Sequence, residues 1–134
     1  MSDGLRQDLP SLMDERALVA AMLRQEAALA QAQAELKLMA LSDAQSIINT
    51  CKVDLFDVPH ILRESLLAAS TASEPPVIKS LRESVRLFNP VAAKAVYRVG
   101  QSADLLSNAL ALVTQDVLTQ MASDIQALRE LSAA

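Results

Sequence analysis

Apolar residues recur every three or four positions along most of the chain, a spacing that predicts amphipathic helix almost throughout. From Ser11 to about Leu41, the residues Val19, Leu23, Ala27, Ala30, Ala34, Leu38 and Leu41 fall on one helical face, with Ser11 or Asp14 as the candidate N-cap. Glu15, Glu26 and Glu35 fall on the opposite side and read as a solvated face. Ser42 followed by Gln45 is a weak capping-box pattern and predicts a short second helix from Asp43 to about Lys52. The run VDLFDVPH breaks the periodicity, and Asp57 with Pro59 predicts the cap and first turn of a third helix reaching about Ser73. Pro75 and Pro76 end it. A fourth helix, from about Val77 to Phe88, stops at Asn89-Pro90, because a residue before proline is disfavoured in the α region. Pro90 opens a fifth helix through about Val99, and Gly100 sits where a left-handed C-cap is expected.

The last helix, from near Ser102 to about Leu131, carries the longest apolar pattern. One stripe runs through Leu106, Leu110, Val113, Val117, Met121, Ile125 and Leu128, and a second through Leu105, Ala109 and Leu112. So wide an arc requires more than one neighbour, either the preceding helices or other copies of the chain.

Composition narrows the class. The 134 residues suffice for one domain with a real core, read as a flexible stretch over 1–10 and a single helical domain over 11–134. Alanine and leucine dominate the apolar half, aromatics make up 2% and glycines number two, which favours an all-α fold of five or six helices. Twelve basic against sixteen acidic residues leave a net charge of −4, which argues against a nucleic-acid partner. The start MSDGLRQDLP has no apolar signal region, and the longest apolar run, Ala17 to Leu23, is too short to span a membrane. No membrane partner is expected, and the default location is the cytoplasm.

Candidate chemistry is sparse. One histidine and one cysteine cannot supply the three or four ligands of a zinc centre, so neither metal nor cofactor is expected. A Cys51/His60 nucleophilic pair lacks any group to orient the imidazole, and a buried thiol with a surface histidine is the simpler reading. Lys79, Arg82, Arg86, Lys94 and Arg98 concentrate positive charge in a stretch otherwise holding only Glu83. Lys79 and Arg98 are candidates for holding a small anion, and a solvated basic face is the simpler alternative.

Four segments, in order, are similar to those of a known family. They are AMLRQEAALAQAQAELKLM from Ala21 to Met39, AQSIINTCKVDLFDV from Ala44 to Val58, PPVIKSL from Pro75 to Leu81, and VYRVGQSADLL from Val96 to Leu106. Together they resemble the N-terminal region of the fumarase/aspartase superfamily, most closely its 3-carboxy-cis,cis-muconate cycloisomerase branch. The last segment corresponds to a family loop reading approximately Val-His-x-Gly-Ala-Thr-Ser-Gln-Asp, whose hydroxyls and His line the substrate site. Val96, Ser102 and Asp104 match it, whereas Tyr97 stands at the His, Val99 at the Gly, Gly100 at the Ala, Gln101 at the Thr and Ala103 at the Gln.

The resemblance implies a corner retained for its shape, with Tyr97, Gly100, Gln101, Ser102 and Asp104 as degenerate substrate-loop positions. It also implies that the catalytic base, a serine in a mobile glycine-rich loop, and a second catalytic His belong downstream of the matched region, in sites assembled from three subunits. The expectation is therefore a truncated relative with no catalytic residues of its own, inactive alone and acting by binding or assembly. Its partner is expected to be a second copy or a full-length lyase, engaged through the helix over 105–131. The alternative is a subunit of a composite cycloisomerase completed by another polypeptide.

Overall fold

The structure, a computed structural model, describes residues 12–68, 74–96 and 102–133, and every regular element among them is helical. The first helix, α1 (Glu15–Glu35), is capped by the Asp14 carboxylate, which accepts the Ala17 N–H at 2.8 Å. It ends well short of Leu41. Lys37 takes a left-handed backbone (φ 61), its N–H donating to the Ala34 carbonyl while the Leu38 N–H donates back to Gln33 at 2.8 Å. This double closure stops a helix without a proline, usually with glycine in the place Lys37 fills. Leu38 and Leu41 are consequently exposed and take no part in the predicted stripe.

Helix α2 (Leu41–Thr50) starts at Ala40 with no side-chain cap. The Ser42/Gln45 capping box does not form, because Gln45 instead donates to Asn49 one turn on. A single 3-10 turn over Val53–Leu55 fills the predicted break. Helix α3 (Val58–Ala68) opens on Asp57, whose carboxylate accepts the His60 N–H at 3.2 Å. Its expected continuation to Ser73 lies outside the described residues. Helix α4 (Pro76–Arg86) has proline at its first position, where the missing N–H costs nothing. Asn89 then serves twice: its carbonyl oxygen caps α5 (Pro90–Lys94) by accepting the Ala92 N–H at 3.0 Å, and its amide donates to Asp43 and Ser46 of α2. Helix α5 stops at Lys94, short of Val99, and the predicted cap at Gly100 lies outside the described residues. Helix α6 (Ser102–Ala133) completes the order.

Helix α1 is the hub, packed by α2, α3, α4 and α6. Val19, Met22 and Leu23 meet Ile47, Ile61, Ile78, Leu81 and Val85 in one core, and Ala30, Ala44, Ala92 and Ala93 allow close backbone approach. Helix α6 lies antiparallel to α1. Gln25 donates to the Leu105 carbonyl at 3.2 Å, while Asp14 and Ala17, at the start of α1, border the same depression as Asp116. At about 1.5 Å per residue α6 is about 48 Å long and α1 about 32 Å, so α6 runs on past its partner. None of the described helices is long and apolar enough to cross a membrane.

Candidate functional site

Of the corner between α5 and α6, the structure describes the two flanks. Val96 is buried on one side, and on the other Asp104 is exposed in the first turn of α6, where a carboxylate complements the positive end of the helix dipole. Beneath Asp104, buried Leu105 and the Gln25 bond to its carbonyl fix the start of α6 against α1. Ser102 opens the helix, while Tyr97, Arg98, Gly100 and Gln101 lie outside the described residues.

Lys79 lies some distance along the chain from that corner, on the outer side of α4. It lines a depression of about 490 Å³ with His60, Glu64, Glu74, Ser80 and Glu83, so three carboxylates share the surface with it. The neighbouring basic residues do not form one solvated face. Arg86 is exposed, but Arg82 turns inward, its guanidinium 2.5 Å from Glu74 with both side chains mostly covered. Among the described residues, no group of three or more His, Cys, Asp or Glu is placed to hold a metal ion.

The feature that periodicity misplaced is Glu26. Instead of facing solvent it is 6% exposed, in the covered middle of α1. Burial lifts its carboxyl from 4.5 to about 7, with the nearby Arg82 charge pulling the other way. The series Val19, Met22, Leu23, Glu26 and Ala30 marks the face actually buried, slightly rotated from the stripe through Ala27 and Ala34. That alternative spacing was the available signal. An apolar-only template passes over it because its central member is a glutamate.

Cys51, at the end of α2, feels the same environment. Burial first, and the Glu26 charge second, push its thiol up to about 12. It stays protonated at neutral pH and is no nucleophile. His60 lines the outer depression on α3, so the structure gives no support to a Cys51/His60 catalytic pair.

An exposed apolar stripe runs along the second half of α6. Leu105, Ala109 and Val113 are buried against the rest of the protein, with Leu106 and Leu112 partly covered. Further on, Leu118, Met121, Ile125, Leu128 and Leu131 are exposed, Leu128 by 63%. Their separations of three and four residues keep them on one side of the helix.

No protein-family model matches the chain. It is 31% identical over 123 residues to the 3-carboxy-cis,cis-muconate cycloisomerase of Acinetobacter baylyi, covering 90% of this chain and 27% of that protein. The protein of the same name from Pseudomonas aeruginosa is 28% identical over 123 residues, covering 92% and 26%. In fold, the chain is similar to the crystal structure of 3-carboxy-cis,cis-muconate lactonizing enzyme from Pseudomonas putida, with a TM-score of 0.73 and 24% identity over 92% of this chain and 28% of that one. The chain thus spans about a quarter of the length of the relatives it matches. Sequence and fold agree: this all-α chain resembles the 3-carboxy-cis,cis-muconate cycloisomerases of the lyase superfamily over a segment about a quarter of their length.

Proposed function

We propose that this chain is a non-catalytic relative that acts by binding or assembly, with α6 seating its exposed apolar stripe on helices of another polypeptide. The observation that carries this reading is the row Leu118, Met121, Ile125, Leu128 and Leu131, which continues the apolar pattern of α6 beyond the helices that cover its first half. Burying one such side chain is worth about 1.5–3 kcal/mol. Five in a row can therefore offset much of the cost of association. A second copy is the simplest partner, and a full-length relative with a matching helix is the other. Light scattering at micromolar concentration is expected to give a multiple of 14.4 kDa, reduced to one chain by aspartate at both Ile125 and Leu128. A stable monomer of the unmodified chain, which also fails to bind a full-length cycloisomerase, overturns the proposal.

The relatives' name supports a second reading, in which the chain contributes to a composite active site. Asp104 and Ser102 at the head of α6, with Lys79 and Arg98 supplying positive charge to a carboxylate-bearing substrate, are then its contribution. Tyr97 in the position of the family His is a hydrogen-bond donor and, with an ordinary pKa of about 10, a poor base at neutral pH. Mixing the chain with 3-carboxymuconate, with and without a full-length relative, and following ultraviolet absorbance separates the readings. Turnover that depends on the chain and falls with Asp104→Asn favours the composite site; no turnover in any combination eliminates it.

A further inference from the structure

Leu118, Met121, Ile125 and Leu128, all exposed, follow one another at alternating steps of three and four residues, the a and d spacing of a heptad. At about 100° per residue they fall in a sector about 80° wide. Exposed Ala111 and Thr114 carry that sector back toward the start of α6, and Ser132 carries it forward. The buried line of Leu105, Ala109 and Val113 points about 140° away. The side of α6 that α1 covers is therefore nearly opposite the stripe, and a second helix laid along the stripe does not compete with α1.

With Leu118 and Ile125 at a, the flanking g positions are Val117, Asp124 and Leu131, and the e positions are Gln115, Ala122 and Arg129. Asp124 and Arg129 are the charges that border the stripe, opposite in sign and five residues apart. In a parallel pair of helices, a g residue lies beside the e residue five positions later on the other strand. Two copies aligned parallel and in register thus set Asp124 of each against Arg129 of the other, twice by symmetry. Antiparallel pairing that overlaps the same apolar residues brings the two Asp124 carboxylates together and leaves each Arg129 opposite Gln115 of the other copy. Asp124 accepts from Gln120 of its own helix at 3.1 Å, and the pairing asks it to give up no bond, since a carboxylate accepts several at once.

We propose that the stripe is occupied by a second copy of this chain, aligned parallel and in register along α6 as a two-stranded coiled coil. The proposal rests on the reading of α6 as the association surface, and adds which partner it takes and in which direction. The apolar layers supply the attraction, and the Asp124 and Arg129 pairs select the direction. Because α6 is already held as a helix by its packing on α1, association does not have to nucleate it. Both bodies lie at the same end of the pair, and the Ser132 residues face each other.

Three variants of the full chain test this. In sedimentation velocity at low salt, where charge pairs are least screened, Arg129→Asp turns both attractions into repulsions and is expected to weaken association about tenfold. Adding Asp124→Arg to it restores the pairs in reversed order and, with them, the affinity of the unmodified chain. Ser132→Cys, with Cys51→Ala to remove the other thiol, is expected to give a disulfide-linked dimer on a non-reducing gel after air oxidation. In the antiparallel arrangement these thiols are about 27 Å apart, too far to join. The charge variants, all at exposed or half-covered positions of α6, decide alone if Cys51→Ala does not fold. A dimer that forms no cross-link and is indifferent to Arg129→Asp overturns the parallel arrangement and leaves α6 as the association surface. A chain that stays monomeric but binds a full-length cycloisomerase overturns the second copy as occupant and leaves that reading standing. A chain that does neither removes both.

Discussion

The two halves of α6 are built from the same residue types at the same spacing and meet opposite fates. Through Val113 the helix lies against α1 and α3, and its inward positions are 8% exposed or less. From Leu118 on, the leucines and isoleucine of the same helix are more than half exposed. Nothing local distinguishes the halves. The difference follows the length of the antiparallel partner, since α1 spans 21 residues against the 32 of α6, and its start, Asp14 to Ala17, borders the same depression as Asp116. A helical stripe therefore reports where cover is required, and the neighbour's cap decides where it is supplied.

The same substitution placed in each half gives the largest expected effect. Ala109 is fully buried between the helices, and Ala127 is exposed in the free half. Ala109→Asp puts an unpaired carboxylate into a close-packed seam with no room for water, and is expected to cost about 4 kcal/mol or more. Ala127→Asp changes little beyond helix propensity, within about 1 kcal/mol. Urea unfolding followed by circular dichroism measures both. Comparable losses would mean that the free half is also packed within the monomer.

How much of this was legible follows the same division. Asp57 as a cap, the stop at Asn89 and the bounds of α6 were readable because proline and short polar side chains act on their immediate neighbours. The end of α1 was not. Lys37 occupies a left-handed position normally signalled by glycine, and the sequence around it continues as though the helix did too. Ser42 and Gln45 carry the letters of a capping box, but the helix has already begun at Leu41 and Gln45 bonds to Asn49. In α6, Leu106 and Leu110 stood in the longer stripe, yet the buried seam runs through Leu105, Ala109 and Val113, because alanine permits the close approach that leucine prevents. At the corner, Asp104 was readable from a motif; Glu26 lies within the Ala21–Met39 segment that carries the resemblance, but its burial is decided by what packs around it.

Glu26 tests whether the covered region is as dry as its contacts imply. Its carboxyl titrates at about 7 in the folded protein, against an ordinary value of 4.5. Between these values the native state keeps a proton that the unfolded chain has lost, so stability contributed by the neutral acid is complete below pH 4.5. It falls as pH rises and is gone above about pH 7, a change of up to about 3 kcal/mol. Glu26→Gln removes this slope. The variant is therefore expected to gain on the unmodified protein steadily across that window in paired denaturant titrations. A constant difference would place solvent beside the carboxylate and weaken the contrast with the free half of α6.

The smallest expected effect concerns the cap that sets the boundary itself. Asp14 accepts the Ala17 N–H at 2.8 Å, satisfying one of the donors left open at the start of α1. Asp14→Ala is expected to cost about 1 kcal/mol, the ordinary worth of such a cap. The location of the loss is more informative than its size. If the first turn of α1 is what covers α6 near Asp116, fraying that turn exposes the facing turn of α6 as well. Amide exchange should then quicken around Val113 to Val117 and stay unchanged near Leu105, which is held by Gln25 from the middle of α1. Loss of protection spread evenly along α6 would instead mean that the helix is held as one unit, and that its free half is bounded by something other than the start of its partner.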